Sequence, residues 1–179
     1  RRQQHMAKKP CLMSDIDTLS FSMEQSISAL RGAFVLKKNS YEKDVVSRFK
    51  GKWELVNHRY YDCILNENIL VELKKGQSGM WFDMVRYAEI YLGHGIKNTW
   101  TVFLSYDKRH EIVKEIYILP TSALMDRLNM SREVAIKCID LYHNAPRGCN
   151  IQLSLTKKDL RTCAEEHGQV IQISSTTIQ

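Results

Sequence analysis

The chain has 179 residues, 44% of them hydrophobic, and a formal net charge of +6. That length predicts one domain with a true core. No apolar run approaches the ~18 residues of a membrane span. The start, RRQQHMAKKP, has no hydrophobic signal core, so an intracellular, cytoplasmic protein without a membrane is expected. The basic balance suits a phosphate-rich partner, although many ordinary domains are as basic.

Five cysteines, Cys11, Cys63, Cys138, Cys149 and Cys163, include no C-x-x-C pair. They read as reduced thiols. Residues 1–13 are expected to be a disordered arm or an expression remnant. Residues 14–179 form the domain, with a core at about 40–106 and a C-terminal extension at about 107–179. No internal repeat or low-complexity linker divides it.

In chain order, residues 14–36 read as helical, with Leu19, Met23, Ile27 and Leu30 spaced by three and four and Gly32 as the stop. Residues 40–50 predict a second helix, capped by Ser40 and ended by Gly51, with Val45 and Phe49 on its buried stripe. Glu42, three residues before Val45, points the same way. It is either a first-turn carboxylate favoured by the helix dipole or a group reaching inward to a cation. Residues 52–56 predict a strand.

Residues 60–77, YYDCILNENILVELKKGQ, predict two strands joined by a tight turn. Strand side chains alternate with period two, so Glu72 and Lys74 share a face. A two-residue loop would set Asp62 opposite Val71. A three-residue loop, Asn66-Glu67-Asn68, would set it opposite Glu72, with Asn68 in the left-handed position. The three-residue loop is expected, bringing the two carboxylates to roughly 5 Å at Cβ.

Residues 78–92 predict a helix capped by Ser78, with Met80, Met84, Tyr87 and Tyr91 in one line and Trp81, Val85, Ala88 and Leu92 in another. Strands are expected at 98–106 and 112–119, and a short helix at 121–128. A helix at 131–143 is capped by Ser131, with Val134, Cys138 and Leu141 as its apolar positions. A strand at 151–155, a helix from a Thr156 cap to Gly168, and a strand at 170–173 complete the chain. The expected fold is α/β, a mixed sheet with helices on both faces.

The order helix, three strands, helix, strand, with Asp62 followed by Glu72-Leu73-Lys74, resembles the PD-(D/E)XK nuclease superfamily over about 40–106. That superfamily includes type II restriction endonucleases and RecB-type nucleases. Tyr61 stands where the name-giving Pro would be. Asp83-Met-Val-Arg-Tyr87 has the Tyr but not the Gln of the RecB-type helix motif, with Gln77 a candidate substitute. The resemblance implies an αβββαβ restriction-endonuclease-like core. It implies that Asp62 and Glu72 bind Mg²⁺, with Mn²⁺ able to replace it and the Leu73 carbonyl as a further ligand. Lys74 would orient the attacking water, and Glu42 would hold metal waters or a second ion.

The implied activity is Mg²⁺-dependent hydrolysis of DNA phosphodiesters, restriction-type, by a homodimer. Alternatives are a repair, recombination or RNA-cutting nuclease of the same fold, or a silent nucleic-acid-binding module. Lys75, Gln77 and Ser78, beside an expected helix start, and Arg86 and Tyr87 on that helix, are candidate nucleic-acid contacts. Lys108, Arg109, His110, Arg147, Lys157 and Lys158 read as contacts or as solvated surface. Asp62, Glu72 and Lys74 themselves read either as a site or as a solvated cross-strand salt bridge. The apolar residues on both faces of these strands favour the site. None of the six histidines has metal-ligand spacing, and His58 reads as a structural or exposed ring.

Overall fold

The hairpin lies inside a six-stranded mixed sheet in a computed structural model that describes residues 13–30, 32–36, 41–93, 99–144 and 152–173. Helix α1 is Met13–Ser28 and α2 is Tyr41–Arg48. Strands β1 (Trp53–Leu55), β2 (Cys63–Leu65) and β3 (Ile69–Gly76) form an antiparallel meander. Strand β4 (Gly79–Asp83) and α3 (Met84–Gly93) lead to β5 (Thr99–Asp107), which pairs parallel with β3. Strand β6 (Ile112–Pro120) follows, then α4 (Thr121–Arg127), α5 (Arg132–Asn144), β7 (Gln152–Thr156), α6 (Lys157–His167) and β8 (Gln169–Gln172). The sheet order is β1-β2-β3-β5-β6-β8, while β4 and β7 make a separate two-stranded ribbon.

Period-two alternation gives the sheet two buried faces. Val71, Leu73, Trp100, Val102 and Leu104 pack on one side with Leu19 and Met23 of α1 and Val45 of α2. Phe103, Tyr117 and Leu119 pack on the other with Met84, Tyr87, Leu124, Ala135 and Leu160. The expected α/β class with helices on both faces is therefore observed. Strands β6 and β8, from the C-terminal part, complete the main sheet. Each large apolar side chain so buried contributes roughly 1.5–3 kcal/mol.

Three local expectations need correction. Helix α1 stops at Ser28, and Phe34 and Leu36 are extended and buried, with Leu36 N–H donating to Glu111 O and Val113 N–H to Phe34 O. Burial against β6 outweighs the helical spacing there. The expected helix from Ser78 begins at Met84; residues 79–83 are strand, with Met80 and Phe82 inward and Trp81 outward. Their partner, β7, lies some seventy residues away in the chain, so local periodicity could not reveal it. Gly79 permits the pairing: a Cβ there would lie 2.1 Å from Leu155 O. On α5, Ala135 and Cys138 face the core while Val134 and Leu141 are exposed.

The expected caps by Ser131 and Thr156 are present, accepting from Val134 N–H at 3.2 Å and Asp159 N–H at 3.2 Å. Ser40, Cys11, Cys149 and Arg147 lie outside the described residues. Cys63, Cys138 and Cys163 are free and buried. Among the described residues no helix is long and apolar enough to cross a membrane.

Candidate functional site

The site lies where β2 ends before β3 does. Strand β2 pairs with β3 only through Cys63 opposite Val71, Ile64 opposite Leu70 and Leu65 opposite Ile69. That register requires the three-residue loop 66–68, and the pairing ends at Cys63, so Asp62 reaches the β3 edge through its side chain and not as a paired residue opposite Glu72. The left-handed residues are Asn66 (φ 50°) and Glu67 (φ 67°), not Asn68. Asp62 stands just outside β2, and its N–H turns to Val71 O at 2.9 Å.

The β3 edge beyond β2 is satisfied by side chains. Leu73 N–H donates to Asp62 Oδ2 at 2.7 Å, and Tyr41 O–H donates to Leu73 O at 3.1 Å. Both backbone groups of Leu73 therefore point at the edge where Asp62 stands. Sequence reasoning passed over Tyr41, although it precedes Val45 by four residues and so shares its inward face. Glu42 lines a cleft of about 410 Å³ with Lys43, Leu55, Val56, Asn57 and Asp62.

Glu72 is buried, its side chain 4% exposed, and two cations approach one of its oxygens. Arg86 Nη2 is 2.8 Å and Lys74 Nζ 3.2 Å from Glu72 Oε1. Neither contact has the directionality of a hydrogen bond, so the two cations hold Oε1 by charge. The period-two expectation for Glu72 and Lys74 is thus met. The solvated reading of the trio is not, because a carboxylate this enclosed must be paired.

Burial, then the charge of Glu72, pushes the Asp62 carboxyl up to about 6, partly offset by the Leu73 N–H and by Lys74. Glu42 adds a smaller upward push. Burial and the same three carboxylates raise Tyr41 well above the usual phenol range, so its hydroxyl keeps its proton and remains a donor.

The expected nucleic-acid contacts divide. Gln77 and Ser78 are exposed in the turn between β3 and β4. They do not open a helix; α3 starts at Met84, where Asp83 Oδ1 accepts from the N–H groups of Val85 (3.2 Å) and Arg86 (3.4 Å). That first turn is therefore already capped by a carboxylate, which disfavours phosphate. Lys75 lies over the rings of Tyr41 (4.9 Å) and Tyr106 (4.4 Å). Tyr87 is buried at 1% exposure, and Arg86 turns inward to Glu72. Tyr87 therefore lies off the open surface, contrary to expectation, while Arg86 is half-buried. Helix burial follows from packing against strands distant in the chain, which α3 alone does not encode.

His58 stacks on Tyr61 at 4.0 Å and its Nδ1 accepts from Tyr60 N–H at 3.1 Å, a structural role. Nearby, Arg59 grips Glu89 with two contacts of 2.7 and 2.8 Å, and Tyr60 O–H reaches the same carboxylate at 2.6 Å. These bonds tie the loop before Asp62 to α3, which carries Arg86.

Among the described residues no group of three or more His, Cys, Asp or Glu side chains is placed to hold a metal. What the edge offers is a pair of carboxylates, Asp62 and Glu72, and the Leu73 carbonyl. This all-oxygen set, with Glu72 Oε1 held by charge and not by hydrogen bonds, fits a hard cation that keeps most of its waters, as Mg²⁺ does, once Arg86 and Lys74 give way. Glu42 is nearby in the cleft and outside any such three-carboxylate group. No protein-family description matches this chain, and no curated protein matches it.

Proposed function

We propose that the protein is a Mg²⁺-dependent endonuclease acting on DNA phosphodiesters, with a restriction-endonuclease-like core. The observation that supports it is the hydrogen bond from Leu73 N–H to the Asp62 carboxylate, which holds Asp62 at the β3 edge within electrostatic reach of Glu72. Asp62, Glu72 and the Leu73 carbonyl would hold the cation. When bound, Mg²⁺ (or Mn²⁺ in its place) neutralises charge on a phosphate oxygen and favours ionisation of water.

The chain's own residues supply the rest. Lys74, partly exposed and anchored on Glu72 at 3.2 Å, presents an ammonium where negative charge develops on the phosphate and orients an attacking water. Holding nucleophile and phosphate together lowers the entropic part of the barrier. Glu42 and Asn57, on the walls of the adjoining cleft, are placed to order water or the substrate's polar edge. Cutting both strands would require two copies, hence a homodimer.

A second reading has its own observation. Glu72 already has two cationic neighbours, as a structural ion-pair cluster would, and this favours a silent nucleic-acid-binding module. Incubation with plasmid and single-stranded DNA, with Mg²⁺ or EDTA, separates the readings. Mg²⁺-dependent discrete bands indicate a site-specific endonuclease. A smear or single-strand preference indicates repair-type or RNA-type activity, and retention without cutting indicates the binding module.

A further inference from the structure

Arg86 is a described residue at the site whose position the nuclease reading leaves unused. Its guanidinium comes from the first turn of α3 and lies 2.8 Å from Glu72 Oε1, with the side chain 19% exposed. The contact is a close charge pair without hydrogen-bond directionality, and Arg86 Nε is buried with no hydrogen-bond partner. A settled structural arginine would present its fork to the carboxylate through two parallel hydrogen bonds, as Arg59 does to Glu89. Arg86 does not. It holds Glu72 by charge alone and keeps an unused donor.

Two cations, Arg86 and Lys74, already lie on the one oxygen Glu72 Oε1, while Asp62, Glu42 and Asp83 add negative charge around them. A divalent cation at Oε1 meets those two positive charges at close range in a poorly solvated place. A phosphodiester offers the guanidinium another anionic partner, and its oxygens suit a guanidinium well.

Resting on the nuclease reading, we infer that Arg86 is a built-in counter-ion occupying Glu72 in place of the cation. It weakens cation binding until a nucleic-acid phosphate arrives to take the guanidinium. Cation and nucleic acid then bind cooperatively, and the coupling is reciprocal. Arg86 acts on the cation through Glu72, as a positioning residue.

The test is Mn²⁺ titration followed by electron paramagnetic resonance of free Mn²⁺. It is run on the full chain as wild type, Arg86→Gln and Arg86→Lys. A second set, in a Lys74→Ala background where no cleavage is expected, is run with and without a short DNA duplex. Arg86→Gln should bind Mn²⁺ about tenfold more tightly than wild type in the absence of DNA. Arg86→Lys should stay near wild type. DNA should tighten Mn²⁺ binding markedly with Arg86 present and much less with Gln. A purely structural arginine would not change that ratio. Equal or weaker binding by Arg86→Gln, or an undiminished DNA effect, overturns the inference while leaving the metal site standing. Absence of Mn²⁺ binding in every protein, with or without DNA, overturns the nuclease reading as well. If Arg86→Gln fails to fold, the DNA effect in Lys74→Ala alone decides: its absence overturns the inference.

Discussion

The Asp62 carboxylate accepts a 2.7 Å hydrogen bond from the Leu73 N–H, so a side chain from the end of one strand occupies the edge of the next. This bond stands where a further β2 residue would otherwise pair. It fixes Asp62 beside Glu72 while burial raises its carboxyl to about 6.

That elevation predicts a pH dependence. The folded protein favours the protonated Asp62, whose ordinary value is 3.8. Its contribution is therefore fully present below about pH 4 and lost as pH rises through about 6, up to about 3 kcal/mol. In EDTA, Asp62→Asn should be more stable than wild type at pH 8 and close to it at pH 4. Urea denaturation at both values checks this. Divalent cations should raise the Tm only above about pH 6, where Asp62 is ionised.

The loop predicts a second result. Glu67 has a φ of 67° and its exposed carboxylate meets Lys52, a contact worth little. Glu67→Gly should stabilise the fold by up to about 1 kcal/mol by relieving the left-handed backbone. Asn68→Gly, at a position without positive φ, should not. Deleting Asn68 would shift the β2–β3 register by one residue, take the Asp62 carboxylate off the Leu73 N–H and remove cation-dependent stabilisation, measurable by thermal melts with and without Mg²⁺.

A third prediction concerns the ribbon that carries the chain into α3. Gly79→Ala would set a Cβ 2.1 Å from the Leu155 backbone oxygen. Neither partner is a flexible side chain, so strands β4 and β7 must separate locally. A loss of roughly 1–3 kcal/mol is expected in denaturant unfolding.

How far these features could be read in advance depends on their range along the chain. Glu72 and Lys74 on one face, and the three-residue loop before β3, depend on strand period and loop length within the thirteen residues 62–74, so the sequence carried them. The strand at 79–83 did not show itself, because MWFDMVRY fits helical spacing and its partner β7 is far away. The inward turn of Arg86 was hidden for the same reason: whether a residue of α3 meets Glu72 or solvent depends on how the helix docks on β3. Tyr41 was legible from its spacing to Val45, but its bond to Leu73 O required the open edge of the sheet.

The most direct test is nicking of supercoiled plasmid by wild type and Lys74→Ala, with Mg²⁺ and with EDTA, both proteins first shown to bind Mn²⁺. Wild type should cleave in Mg²⁺ alone, and Lys74→Ala should lose at least about a hundredfold in rate despite retained cation binding. Cleavage that persists in EDTA, or wild-type and Lys74→Ala proteins that cut equally well, would contradict the nuclease reading.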